Sequence, residues 1–202
     1  MDALRKKALH FEYFTVGYNI AEGAASIIAG YLAGSIALAG FGFDSAVESI
    51  SGAVLIWRLR KNSSAQEARI EKKAVRLVAM SFFVLGAYII WESVEKLRFG
   101  KRPQPTLPGI VIAALSLMIM PMLARAKYRV ALRMKSISLA ADSAQSFICA
   151  LLSITLLLGL GLNYLFGAWW ADPVSALFIV VLIVWEGIEA LRESYKDEVE
   201  RG

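Results

Sequence analysis

Histidine and cysteine each occur once, and that scarcity removes several kinds of chemistry at the outset. A lone Cys149 forms neither an internal disulfide nor a CxxC redox pair. With His10 alone, in a basic N-terminal segment, there is no HExxH helix and no histidine-rich metal loop. No nucleophile stands in a pattern that pairs it with a general base, so an enzyme working inside the membrane is not expected. Proline is also scarce, at five residues, and Pro103, Pro105 and Pro108 are bunched in one connection. Alternating strands of the kind that close a membrane barrel are missing. A formal charge of +5 would suit a nucleic-acid partner, but none is expected here, because basic residues have another use in an apolar chain.

Apolar residues make up 57% of the 202, and mean hydropathy is +0.56. Runs of about 20 apolar residues cross roughly 30 Å of hydrocarbon as helices. The pattern predicts an all-α membrane protein with six transmembrane helices at about 11–32, 35–57, 74–97, 108–126, 137–161 and 172–192. The first run is too long for a signal-peptide core and carries Glu22 in its middle, so it reads as a retained helix. Little chain is left over, and the whole of 1–202 is expected to be one transmembrane domain without a soluble one. Ala33-Gly34-Ser35 reads as a tight turn, 58–73 as a charged connection, and Asp172-Pro173 as the N-cap and first position of helix 6. Pro121 is expected to kink helix 4, and the tryptophans to anchor the interfaces.

Positive charge sets the expected orientation. Of the 22 Lys and Arg residues, all but Lys96, Arg98, Lys101 and Arg102 fall on the side that holds both termini. Basic residues are retained in the cytoplasm, which places the N and C termini there. The expected location is multi-pass in a membrane, the cell inner membrane for a bacterial source.

Two segments recur. Asp44-Ser45-Ala46 returns as Asp142-Ser143-Ala144, an offset of 98, and the run from Ile90 to Arg98 returns from Val184 to Arg192, an offset of 94. An odd number of helices per half inverts the second half, giving two inverted three-helix repeats with a substrate site near the midplane between them.

Ionisable groups within such spans are costly and ask for a reason. Glu22 sits at the centre of helix 1, with Asn19 one turn away on the same face. Asp44 and Glu48 bracket the centre of helix 2, four residues apart and therefore on one face. Helix 5 offers Asp142, Gln145 and Cys149 at spacings of three and four. Cys149 lies near the midplane and Asp142 about 10 Å nearer the cytoplasm by helical rise. No Lys or Arg is expected at that depth, which leaves the carboxylates to be neutralised by protons or by a metal ion. Oxygen ligands suit harder divalent ions, and a thiolate adds affinity for zinc and softer ones. Because a carboxylate must lose its proton to bind metal, the two cations compete.

The run Phe43-Asp44-Ser45-Ala46-Val47-Glu48-Ser49-Ile50-Ser51-Gly52 resembles the second helix of cation diffusion facilitator transporters. Ala141-Asp142-Ser143-Ala144-Gln145-Ser146-Phe147-Ile148-Cys149 is similar to that family's Ala-Asp-x-x-His-x-x-x-Asp. The Ala171-Asp172-Pro173 start of helix 6 and the Glu-Ser-x-Glu-x-Leu end of helix 3 are also family-like, and the likeness extends over about 10–195. It implies divalent-metal transport, zinc by default, by alternating access in exchange for protons, with the site on Asp44, Glu48, Gln145 and Cys149. Gln145 replaces the family's histidine and Cys149 its last aspartate, so manganese, iron, cobalt and cadmium stand beside zinc as candidates. Glu22 and Asn19 could complete the ligand shell. The usual cytoplasmic domain is expected to be absent, as in a transmembrane-only branch, and a homodimer would then form through membrane helices.

Plainer readings exist for each residue. Buried carboxyls can be hydrogen-bonded struts, Asn19 and Gln145 can tie helices together, and Cys149 can be a small apolar filler. Asp142 is near enough to the cytoplasmic face to serve as a helix-terminal or pathway acid. Glu92, Glu95, Glu186 and Glu189 read as interfacial groups satisfied by water or by Arg98 and Arg192. The competing function is a membrane module that binds metal without transporting it.

Overall fold

A computed structural model describes residues 2–60, 65–104 and 106–199. They form six helices, α1 (Asp2–Ala33), α2 (Ile36–Arg60), α3 (Ala65–Phe99), α4 (Leu107–Met134), α5 (Ile137–Phe166) and α6 (Ala171–Val199). No strand occurs among the described residues. Among the described residues, four segments are both long and apolar enough to cross a membrane: Ile36–Arg60, Leu107–Met134, Ser138–Phe166 and Ala171–Glu189.

The helices run well past the apolar spans. α1 begins at Asp2 rather than near residue 11, α4 continues through Pro121 to Met134, and α3 starts at Ala65 inside the expected connection. Hydropathy marks where an apolar run stops, but Ala, Gln, Glu, Lys and Arg are strong helix formers and carry the helix onward. Of the charged connection, residues 61–64 lie outside the described part.

The turns are built from local chemistry. Gly34 adopts φ +65, a left-handed conformation that costs glycine little, and lets α2 fold back on α1. Thr106 caps α4 by accepting from the Gly109 amide at 3.3 Å, and Ser136 caps α5 by accepting from the Leu139 amide at 3.4 Å. Asp172 does something other than cap its own helix. Its carboxylate accepts from the Ser35 hydroxyl and, at 3.0 Å, from the Ile36 amide, so it caps α2 from the start of α6. The expectation for Asp172 is corrected here: as a side chain on a neighbouring element it reaches the orphan amides of another helix.

α1 pairs with α2 and α4 with α5, while α3 lies against α6. α2 also touches α3, α5 and α6, which makes it the central helix. Small residues allow the close approach of α1 and α2, as they do between helices in lipid. A Cβ built on Gly42 would lie 2.8 Å from Ile27 Cγ1 and 2.9 Å from the Gly23 carbonyl oxygen. Gly42→Ala should therefore cost about 1–3 kcal/mol by overpacking, while Gly161→Ala, with nothing within 4 Å of its Cβ, should be neutral or mildly stabilising. Thermal unfolding in detergent, run on both variants, reads the difference.

Polar side chains line part of the bundle interior, and large apolar side chains lie on its outside. Along α1 the buried positions include Ala8, Glu12, Thr15, Asn19, Glu22 and Ser26, at alternating steps of four and three. Its outward face carries Phe14, Ile20, Ile28, Tyr31 and Leu32. An apolar groove of about 780 Å³, lined by residues including Val16, Ile20, Ile27, Ile50 and Trp57, runs between α1 and α2. Such surfaces suit contact with acyl chains. The apolar core, with Leu38, Phe41, Ile89, Met120, Leu156 and Ile183 at its centre, fills the bundle around the polar interior.

Candidate functional site

α2 brings Asp44 and Glu48 into the middle of the bundle, where they are 2% and 3% exposed. Their side chains share the buried face of Phe41, Ser45 and Gly52, so the four-residue spacing delivers both inward. Glu22 of α1 meets this helix directly. It accepts from the Ser45 hydroxyl at 3.0 Å and from the Tyr18 hydroxyl, one turn back on its own helix, at 2.9 Å. Asn19 is completely buried, and neither its amide nitrogen nor its oxygen has a hydrogen-bond partner.

On α5 the inward face is Asp142, Ser146, Cys149 and Ser153. Gln145 is only half-buried, at the edge of that face. It is Ser146 that reaches across to α2, donating to Glu48 Oε1 at 3.1 Å. Cys149, 1% exposed, has Glu48, Glu22, Asp44 and Glu186 as its electrostatic neighbours.

Two residues enter that sequence reasoning placed elsewhere. Glu186 was expected at an interface, yet it is 6% exposed and its carboxyl lies within interaction range of Asp44. Its register explains this, since Ile179, Ile183 and Glu186 follow one face of α6 and both isoleucines are fully buried. Glu189, three residues on, is exposed as expected, and Glu92 and Glu95 pair with Lys96 and Lys101.

The second is Lys127 of α4, counted by sequence among the basic residues of the cytoplasmic side. Its side chain is fully buried, and its ammonium lies 2.6 Å from Asp142 Oδ2 and 3.2 Å from Glu12 Oε2. It also donates to Ser146 at 3.4 Å. The expectation that no cation reaches the carboxylates is thus corrected, because Lys127 lies on the buried face of α4 with Met120, Ala124 and Ala131. Asp142 is held in this α1–α4–α5 ion-pair cluster. An apolar layer of Ala8, Leu55, Val130, Ala131 and Leu139 packs at the same end of the bundle. The heptad spacing of Glu12 from Asn19, and of Lys127 from Met120, was the available signal for both.

Several carboxylate oxygens remain without a partner: Asp44 Oδ1, Glu48 Oε2, Glu186 Oε2 and Glu12 Oε1. Among the described residues no three His, Cys, Asp or Glu side chains converge closely enough to enclose a metal ion. The interior is an acid-lined surface spread over α1, α2, α5 and α6 rather than a closed cage. Buried oxygens left unpaired are costly, and they favour any cation that can reach them.

The pattern of the cation efflux transmembrane domain matches residues 15–197. Transmembrane protein 163 of Xenopus laevis is 21% identical over 192 residues, covering 94% of this chain and 68% of its own. An uncharacterised transporter of Synechocystis is 24% identical over 191 residues, covering 91% of this chain and 62% of its own. The chain therefore spans about two thirds of the length of these relatives.

Proposed function

The chain belongs to the cation efflux family, multi-pass membrane proteins that are transporters rather than enzymes, and from that premise we propose that it carries a divalent metal cation in exchange for protons. Asp44 and Glu48 are the core ligands in this reading, with Glu22 and Cys149 beside them. Asn19, Gln145 and Asp142 supply further oxygens as the helices shift. One observation supports it above the others: the acids of α2 are buried in the bundle with free oxygens, while Lys127 gives its ion pairs to Glu12 and Asp142.

A metal bound between α2 and its neighbours would replace protons on these carboxylates, since metal ligands must be deprotonated. Loading at one pH and release at a lower one then follow from the same groups. The acid-lined but uncaged interior suits a carrier, because a site that must release its ion gains nothing from a rigid coordination shell. Alternating access would move two halves past each other, α1–α3 against α4–α6, with both termini in the cytoplasm. The pairing of α1 with α2 and of α4 with α5 fits that division, whereas α3 packs mainly against α6 of the other half. Zinc is the first candidate, by family default and by the thiol of Cys149, with manganese, iron, cobalt and cadmium behind it. A homodimer, if the family habit extends to this chain, would form through the lipid-facing helix surfaces.

The test is metal binding by the purified protein in detergent, across those five ions, beside Asp44→Ala/Glu48→Ala. Saturable binding of at least one ion, lost in the double variant, is the expected result. Binding undiminished in the variant would remove the site from α2.

A further inference from the structure

Glu186 lies at this site but outside the family-like motifs. Its carboxyl enters from a fourth helix, is 94% buried by its 6% exposure, and keeps Oε2 without a hydrogen-bond partner. It faces Asp44, which is 2% exposed and keeps Oδ1 free. Two carboxyls held together inside a membrane protein, with no basic side chain among the described residues bonded to either, need a shared proton or a cation between them. The neighbours of the pair do not neutralise it: Cys149 is a thiol, Glu48 is another acid, and Lys127 makes its hydrogen bonds to Glu12, Asp142 and Ser146. Gln145, the residue at the motif's histidine position, is half-buried at the edge of its face and brings no charge.

We propose that Glu186 of α6 is a metal-binding residue that forms, with Asp44, a carboxylate pair taking a divalent cation between α2 and α6. The proposal rests on the metal-carrier reading above and adds to it the ligand that α5 lacks. It makes the coordination set richer in oxygen than a histidine-based one, and it ties the ion to α6 as well as α2. α2 and α6 are already joined at their ends through Asp172, which caps α2. An ion held by both helices therefore sits along an interface that is fixed at one end.

Because Cys149 is the only cysteine, Cys149→Ser gives a background without thiols into which a reporter thiol can be placed. Glu186→Cys, Asp44→Cys and Glu189→Cys are each made in that background, purified in detergent, and titrated with cadmium. A thiolate bonded to cadmium produces an ultraviolet charge-transfer band. The band is expected with Glu186→Cys and Asp44→Cys and absent with Glu189→Cys, whose parent residue is exposed. In the native background Glu186→Gln should weaken zinc binding at least about tenfold, with Glu186→Asp losing less. The metal-free melting curve of Glu186→Gln should stay close to that of the unaltered protein. A band with Asp44→Cys but none with Glu186→Cys, together with native zinc affinity in Glu186→Gln, overturns the role of Glu186 and leaves the carrier reading standing. No band at either position, with no zinc binding by the unaltered protein, overturns both.

Discussion

Lys127→Met is expected to destabilise the folded protein by about 3–5 kcal/mol, the scale for removing one partner of a buried ion pair. The ammonium of Lys127 is the shared counter-charge of Glu12 and Asp142, at 3.2 and 2.6 Å, and all three side chains are buried. Without it two carboxylates face each other in the interior, and each must take up a proton or draw in water. Because the three residues come from α1, α4 and α5, the loss is felt as a loosening between helices rather than within one. Asp142→Asn added to Lys127→Met should recover part of the stability by removing one of the stranded charges. Lys127→Arg should be milder than Lys127→Met, since it keeps the charge and changes the shape. Thermal melting in detergent with all three variants decides the matter. A Lys127→Met protein melting with the unaltered one would mean that the cluster holds nothing together.

The second large effect falls on transport. Asp44→Asn and Glu48→Gln keep the volume and hydrogen-bonding reach of each side chain and delete the charge that a metal requires. Loss of groups that merely support a ligand lowers metal affinity or activity about 10–100-fold, so loss of a ligand itself should reduce flux at least about 100-fold. Stability should change little in the same variants, since among the described residues neither carboxylate has a cationic partner bonded to it and each keeps a free oxygen. That separation is informative. Lys127 is expected to matter first for folding, and Asp44 and Glu48 first for function.

Sequence reasoning reached the helical membrane architecture because apolar runs of sufficient length have few other uses, and it reached Asp44, Glu48 and Glu22 because acids inside those runs stand out. It misjudged the ends of the helices, where polar helix formers continue the backbone geometry into water. It misplaced Lys127, because distance along the chain from an apolar run says little about which face of a helix a residue lies on. Glu186 was assigned to an interface for a similar reason: it lies in the second half of α6, and only the register with Ile179 and Ile183 turns it inward. Asp172 was read as a cap, and it is one, but for α2 rather than α6, a relation between residues 136 and 137 positions apart that no local pattern carries. On α5 the spacing rule placed Asp142 and Cys149 on one face, which the structure turns inward, while Ser146 rather than Gln145 makes the cross-helix bond to Glu48.

The measurement closest to the central claim is metal uptake into liposomes holding the purified protein, with a pH difference imposed across the membrane. Zinc, or whichever ion binds, should move toward the more acidic compartment, change direction when the gradient is reversed, and stop in Asp44→Asn. Flux that ignores both the gradient and the substitution, or no flux at all from a protein that binds metal, would contradict a proton-exchanging carrier built on α2.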